Sequence, residues 1–493
     1  MCTKIVGRAP VGDHRLVLHR LRPWGWGRHL AGALTLSLVM LAAGCSAAGD
    51  GRAGGPKGDG TFPNPEPITD HAGAAALCRA IWQRNERPKH AFSEADSALS
   101  NEAIPSIPRP RKGVAQWDPV YGSCVLRLTD HRHEAPKQFA RHDYSRRQAF
   151  NADSSRVLIS AYDGTWHLYD ADSLAWLKRL DGVAGDAELQ WHPTDPRLVY
   201  FQAAYGIGMQ IHELNVETGA TREVADFSRR LKAIWPKANS AWTRSEGSPS
   251  IDGRYWCFMV DDAQWNSLGV FTWDMQTDSI LGTMDTKGDR PDHVSMSPAG
   301  SRCVVSGDTP GVGTRAWTRD FKRFTELHHK SEHSDLAFDA DGREVYVSID
   351  YQSKHGDVFM TDIETGKRTV LFRTYLDGTA TAMHFSGRAH RRPGWVLVST
   401  YARDGRRLWL HEKIMAMSLE ADPSIRGLGY HHVRFNGYWS EPQATVNPDF
   451  TRVLFNSNWG SGSELDIDSY MMVLPRDALQ AKAKGVASKD EPK

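Results

Sequence analysis

Arg146 to Asp170 reads RRQAFNADSSRVLISAYDGTWHLYD, and this stretch decides the fold. A short apolar run, a polar turn, a β-rich run, a Tyr-Asp-Gly turn and a third strand follow one another. Val, Ile, Tyr and Trp alternate with small polar residues, and Asn, Asp, Ser and Gly fill the gaps, which is strand-and-turn chemistry. The same phrase recurs down the chain as AFNADSSRVLIS, LQWHPTDPRLVYF, SPSIDGRYWCFMV, SMSPAGSRCVVSG, AFDADGREVYVSI, MHFSGRAHRRPGWVLVS and ATVNPDFTRVLFNS. Its anchors are Asn151, His192, Ser250, Ser297, Asp339, Ser386 and Asn447. Their spacing of roughly 40 to 60 residues is that of a four-stranded propeller blade. Seven copies predict an all-β, seven-bladed β-propeller over residues 120–476.

Upstream of the repeats the composition changes twice. Arg15, Arg20, Arg22 and Arg28 precede an apolar run, Leu30 to Ala43, too short to span a bilayer but suited to a signal-peptide core. The run ends in LAAGC, which resembles the lipobox of bacterial lipoproteins. That resemblance implies a signal peptide over 1–44 and a lipidated Cys45 as mature N-terminus. Ser46 behind it implies an outer-membrane lipoprotein of the bacterial envelope, facing periplasm or surface. An ordinary secretory signal is the alternative.

Residues 45–67 are rich in Gly, Pro and small polar residues and read as a flexible tether. Residues 68–119 form an extension. Within it, Ala74, Leu77, Ile81 and Trp82 lie at helical spacing between Asp70, a candidate N-cap, and Arg87. Residues 477–493 are a charged tail. Cys124 to Thr129 is a strand with no repeat of its own, while the last repeat shows only three strands. Ring closure accounts for both: the early strand pairs with the last one, around Met471 to Leu474, leaving no open edge.

Lys and Arg number 60 against 59 Asp and Glu, so no global charge draws the chain to nucleic acid. Tethered by lipid alone, the propeller is expected to be a monomer. Cys78 and Cys124 are placed to pair in an exported protein. Cys257 and Cys303, on second strands of adjacent blades, read as buried small hydrophobes.

First strands of propeller blades line the channel, so equivalent positions converge. Four residues before the anchors stand Arg147, Glu188, Glu246, His293, Asp335, Ala382 and Gln443. Two residues earlier, on the same side of a strand, stand Ser145, Asp186, Arg244, Pro291, His333, Ala380 and Glu441. The sixth repeat adds His384. Histidines 293, 333 and 384 with Gln443, or with Glu441 or Asp335, make a candidate site for a divalent metal such as Mn, Ca or Zn. The plainer reading gives each imidazole a hydrogen bond to its neighbour. Loops between second and third strands contribute Tyr162, Tyr205, Trp265, Tyr401 and Trp459, and RHDYSRR contributes His142, Tyr144, Arg146 and Arg147. His, Tyr and Arg together suit β-elimination from a uronate, in which a cation neutralises the carboxylate and His or Tyr moves the protons.

The quoted first repeat, with HVSMSPAG, HSDLAFDADG, RPGWVLVSTY and YWSEPQATVNPDFTRVLFNSNWG, resembles the exported seven-bladed propeller lyases, the oligogalacturonate and ulvan lyases. The resemblance implies a polysaccharide lyase acting on an acidic polysaccharide or oligosaccharide. It implies a metal held by channel histidines and a glutamine, matched here by Gln443 and His293 or His333. The histidines that follow that glutamine in the family are replaced by Ala444 and Thr445. From the ulvan lyases it implies catalytic His142, Tyr205 and Arg244, with Arg147 beside them. Glu188, Tyr162, Trp265, Tyr401 and Trp459 would then bind substrate. A non-catalytic glycan- or protein-binding propeller is the competing class, and a glycoside hydrolase using Glu188, Asp335 and Glu246 a third.

Overall fold

The computed structural model describes residues 73–86, 103–375, 381–401 and 410–479. Cys45, the signal segment, the tether and most of the tail lie outside them. The chain is mostly β. Five antiparallel four-stranded sheets follow one another, each joining its strands in chain order: within residues 190–226, 238–285, 293–328, 334–373 and 383–430. This is the organisation of propeller blades. A sixth sheet has nine strands, in which two such meanders meet at a single parallel pair, Asp468 with Ala140.

The early strand does close the sheet of the last one. Cys124–Arg127 runs antiparallel to Asp468–Val473, with Val125 opposite Met472 and Leu126 opposite Met471. The edge so formed is covered by the two-residue strand Gln116–Trp117.

Burial falls from the first strand of a sheet to the fourth. His293–Met296, Met383–Ser386 and Thr445–Val446 are buried throughout, whereas Trp176–Leu180 and Arg368–Arg373 are largely open. The apolar core lies between neighbouring sheets. One cluster joins Val345, Val347 and Val358 of one sheet to Phe385, Val396 and Met415 of the next.

The recurring anchors have a physical task. The side chains of Asn151, Ser250, Ser297, Asp339 and Asn447 each accept a backbone N–H from the turn that follows, at 2.8–3.0 Å. His192 does the same through Nδ1. A side chain that completes a tight turn fixes the hairpin behind it, and short polar residues are selected for that. Ser386 departs: its hairpin is longer, and its hydroxyl reaches Thr445 in the next sheet at 3.2 Å.

The helix is Ala74–Arg84, shorter at both ends than expected, with Gly73 rather than Asp70 at its N-cap position. Cys78 bonds Cys124, fixing this helix to the closing strand. The reading of Cys257 and Cys303 as separate small hydrophobes is corrected. They form a second disulfide, between sheets whose second strands bring the two Cα atoms to 5.7 Å. The segment just before the closing strand also explains why Ile425–Tyr430, a fourth strand, is buried. Tyr121 lies so close over Gly427 that a Cβ there would meet its ring at 2.2 Å.

Candidate functional site

The polar side chains converge where first strands begin. Between the short strand Ala140–Arg141 and the sheet at Phe150 the chain makes a turn, closed by Arg147 N–H donating to Tyr144 C=O at 3.1 Å. This turn presents Tyr144 and Arg146 to neighbouring sheets. Arg146 donates to His293 Nε2, stands 3.3 Å from Glu246, reaches Ser334 Oγ at 3.4 Å and lies over the Tyr144 ring. Since His293 accepts at Nε2, its Nδ1 carries the proton, facing Asp292 at 3.4 Å and Glu246 at 3.7 Å.

A backbone kink builds the neighbouring part. Arg244 and Ser245 both have left-handed φ, 63° and 65°. Non-glycine residues held there cost about 1–3 kcal/mol each and persist only where the surroundings fix them. Glu188 does so from one side, accepting the N–H groups of Thr243 (2.9 Å) and Ser245. Arg147 holds the other side through the carbonyls of Ser245 and Gly247, and Gln190 adds a bond to Gly247. The kink aims Arg244 at Asp292, whose carboxylate it meets at 2.9 Å. Burial opposes ionisation of Asp292, yet His293, Arg244 and Ser331 hold its carboxyl well below the usual range.

A stack of rings forms the other half. His384 lies 4.3 Å from His333, 4.7 Å from Tyr401 and 5.5 Å from Tyr144, centroid to centroid. Its Nε2 shares a 2.8 Å hydrogen bond with Glu441. Burial pushes Glu441 up to about 7, against the pull of His333, Gln443 and Arg141. Burial also lowers His333 to about 4, helped by His384, and His384 to about 3, helped by Arg146 and Arg141. Both imidazoles are therefore neutral at pH 7. His333 donates from Nδ1 to the Met383 carbonyl at 3.0 Å, so its Nε2 keeps a lone pair for a substrate.

The expected metal set is not brought to one point. His293 faces Arg146, His384 faces Glu441, and Gln443 Oε1 accepts from Arg141. Two guanidinium groups thus stand on two of the four expected ligands, which do not fit a shared metal ion. Glu246, Asp292 and His293 do converge within 4.8 Å, but Arg146 already supplies the positive charge at that corner.

Other expected residues have different surroundings. His142 is fully buried and donates from Nε2 to the Gln443 carbonyl at 2.6 Å, and burial lowers it to about 3. Tyr205 packs edge-on against Trp242 and Trp265, and burial with Asp186 raises its phenol to about 12. Among the described residues no hydrogen bond or ring contact joins His142 or Tyr205 to Arg146, His333 or His384. Trp459 bonds the Ile107 carbonyl and packs on Tyr470 and His432. Tyr162 is exposed beside Phe139, which in turn packs on Trp439. Asp335 is tied to Arg388 and the Gly387 N–H. Sequence reasoning passed over Arg141, Asp292 and Tyr438, whose ring lies under the Arg141 guanidinium at 5.8 Å. Asp292 adjoins an identified histidine, and Arg141 adjoins His142, so adjacency was their signal.

No protein-family model matches the chain, and neither does any curated protein. Among solved structures it is similar to the crystal structure of an oligogalacturonate lyase from Vibrio parahaemolyticus. The TM-score is 0.53 at 12% sequence identity, over 74% of this chain and 97% of that one. At that identity the likeness concerns the fold.

Proposed function

We propose that this chain is a seven-bladed propeller lipoprotein that cleaves an acidic, uronate-containing polysaccharide or oligosaccharide by β-elimination. Five four-stranded sheets plus the two meanders merged in the nine-stranded sheet support a count of seven blades. The observation that carries the lyase reading is His333: a neutral imidazole with an uncommitted Nε2, packed against His384 and Tyr401 and within the field of Arg146. Arg244, about a third exposed, pairs with the uronate carboxylate in exchange for Asp292 and acidifies the C5 proton. His333 Nε2 accepts that proton, the C5–H electron pair forms the C4–C5 double bond, and the C4–O bond breaks. Burial keeps the Tyr144 and Tyr401 phenols protonated, so either donates to the departing oxygen. Arg147 and Glu188 hold the kink that aims Arg244. Tyr162 and Trp265 extend the glycan surface. Fixed guanidinium charge takes the place of Mn, Ca or Zn, so chelator leaves the activity unchanged.

The test is incubation of the purified protein with a panel of uronate polysaccharides, following the near-ultraviolet absorbance of the unsaturated product. Absorbance growing with at least one substrate supports the reading; new reducing ends without it indicate a hydrolase. The second reading, a non-catalytic glycan-binding propeller, is favoured by the protein partners already held by Arg141, Arg146, Arg147 and Arg244. Binding without any new product would support that reading instead.

A further inference from the structure

The outermost strand Phe324–His328 ends in one histidine, and a second, His329, follows it directly. Successive residues of a regular strand face opposite ways. Here the pairing shifts register, with Thr314 opposite His328 but Arg315 opposite Glu326. Beyond the shift the rings of His328 and His329 lie 4.4 Å apart. Asp350 arrives from the end of Glu344–Asp350 in the adjacent sheet, and one ligand atom from each of the three lies within 4.8 Å of the others.

His328 is only 6% exposed, and neither of its ring nitrogens has a hydrogen-bond partner. A neutral imidazole carries one N–H and one lone pair, and burying either without a partner is destabilising. Packing on Phe359, 5.1 Å away, accounts for the ring but not for the two nitrogens. Asp350 is held firmly: Oδ1 accepts from Gln352 and Ser353 N–H, and Oδ2 from Arg368 at 3.0 Å.

We propose that His328, His329 and Asp350 form a binding site for a borderline divalent cation of the zinc class, separate from the Arg146 corner. Two imidazoles and one carboxylate are a common three-residue zinc set, water completing the tetrahedron. Two imidazole nitrogens favour a borderline ion over a hard one such as calcium, while Arg368 and Lys330 nearby weaken the hold on any cation. Tetrahedral ligands at a metal distance of about 2.1 Å lie about 3.4 Å apart, so the site must tighten on binding. His329, with its side chain 55% exposed, has room to swing inward.

The test is calorimetric titration of the purified chain with Zn2+, alongside the visible absorption of added Co2+. One equivalent should bind with a tetrahedral cobalt spectrum. His329→Ala, which removes an exposed ring, should weaken binding by at least about tenfold without shifting thermal unfolding. His328→Gln should do likewise, and His293→Ala should leave zinc binding intact. Should His328→Gln fail to fold, Zn2+ protection of His329 from diethyl pyrocarbonate in the native chain gives the same answer. The proposal is overturned if the native chain binds no stoichiometric zinc, if His329→Ala binds as tightly as native, or if only His293→Ala abolishes binding.

Discussion

Glu441 and His384 share one hydrogen bond where neither keeps its solution acidity. Glu441 rises from 4.5 to about 7, so between those values the folded chain holds a proton that the unfolded chain has released. Its contribution to stability therefore falls as pH rises through that window. His333 works the other way: lowered from 6.5 to about 4, it adds stability as pH rises between those two values. Glu441→Gln removes the first effect and keeps the second. Thermal unfolding should find the variant more stable than native at about pH 8, by at most about 3 kcal/mol, with the curves meeting below about pH 4. A native protein more stable than the variant at the alkaline end would show that ionised Glu441 is paired, not penalised. At this scale the sequence was half legible. Strand alternation set Glu441 and Gln443 on one side; a 3.5 Å hydrogen bond joins them, although both lie before the strand and Gln443 has a left-handed φ of 40°. Ser145 and Arg147 align with the repeats, but the segment folds as a turn rather than a strand, so the alignment did not say that Arg146 would meet His293 and Tyr144 would meet His384.

Among the elements, the turn anchors were the most legible feature, because hairpin chemistry is local. The same local chemistry yields a contrast. Asp339 accepts two backbone N–H groups and pairs with Arg343, whereas Ser386 makes one bond, to a Thr445 that also donates to the Arg147 carbonyl. Asp339→Ala should cost about 1–2 kcal/mol and Ser386→Ala less than about 1 kcal/mol in denaturant unfolding. Equal losses would mean that the anchors mark the repeat without holding it. Contacts between elements were less legible. The Cys257–Cys303 disulfide depends on how two neighbouring sheets are offset, and strand patterns carry no record of that. The kink at Arg244 and Ser245 was hidden for a similar reason: its support comes from Glu188 and Arg147, distant in sequence, and no glycine marks the left-handed positions.

For the whole molecule, the surplus early strand and the three-stranded final repeat foretold the pairing of Cys124–Arg127 with Asp468–Val473. The export reading rests on residues before this closure, and one substitution tests it. Cys45→Ala should move the protein from the membrane to the soluble envelope fraction, whereas membrane retention would contradict lipidation. The central claim is that the chemistry belongs to the ring of Arg146, His333, His384 and Tyr401, rather than to His142 and Tyr205. The most direct measurement is kcat on the glycan identified by the panel, for His333→Gln and Tyr205→Phe side by side. His333→Gln should lose about 10²–10⁴-fold in kcat with thermal unfolding unchanged, and Tyr205→Phe should stay within about tenfold. An active His333→Gln beside an inactive, well-folded Tyr205→Phe would contradict the account.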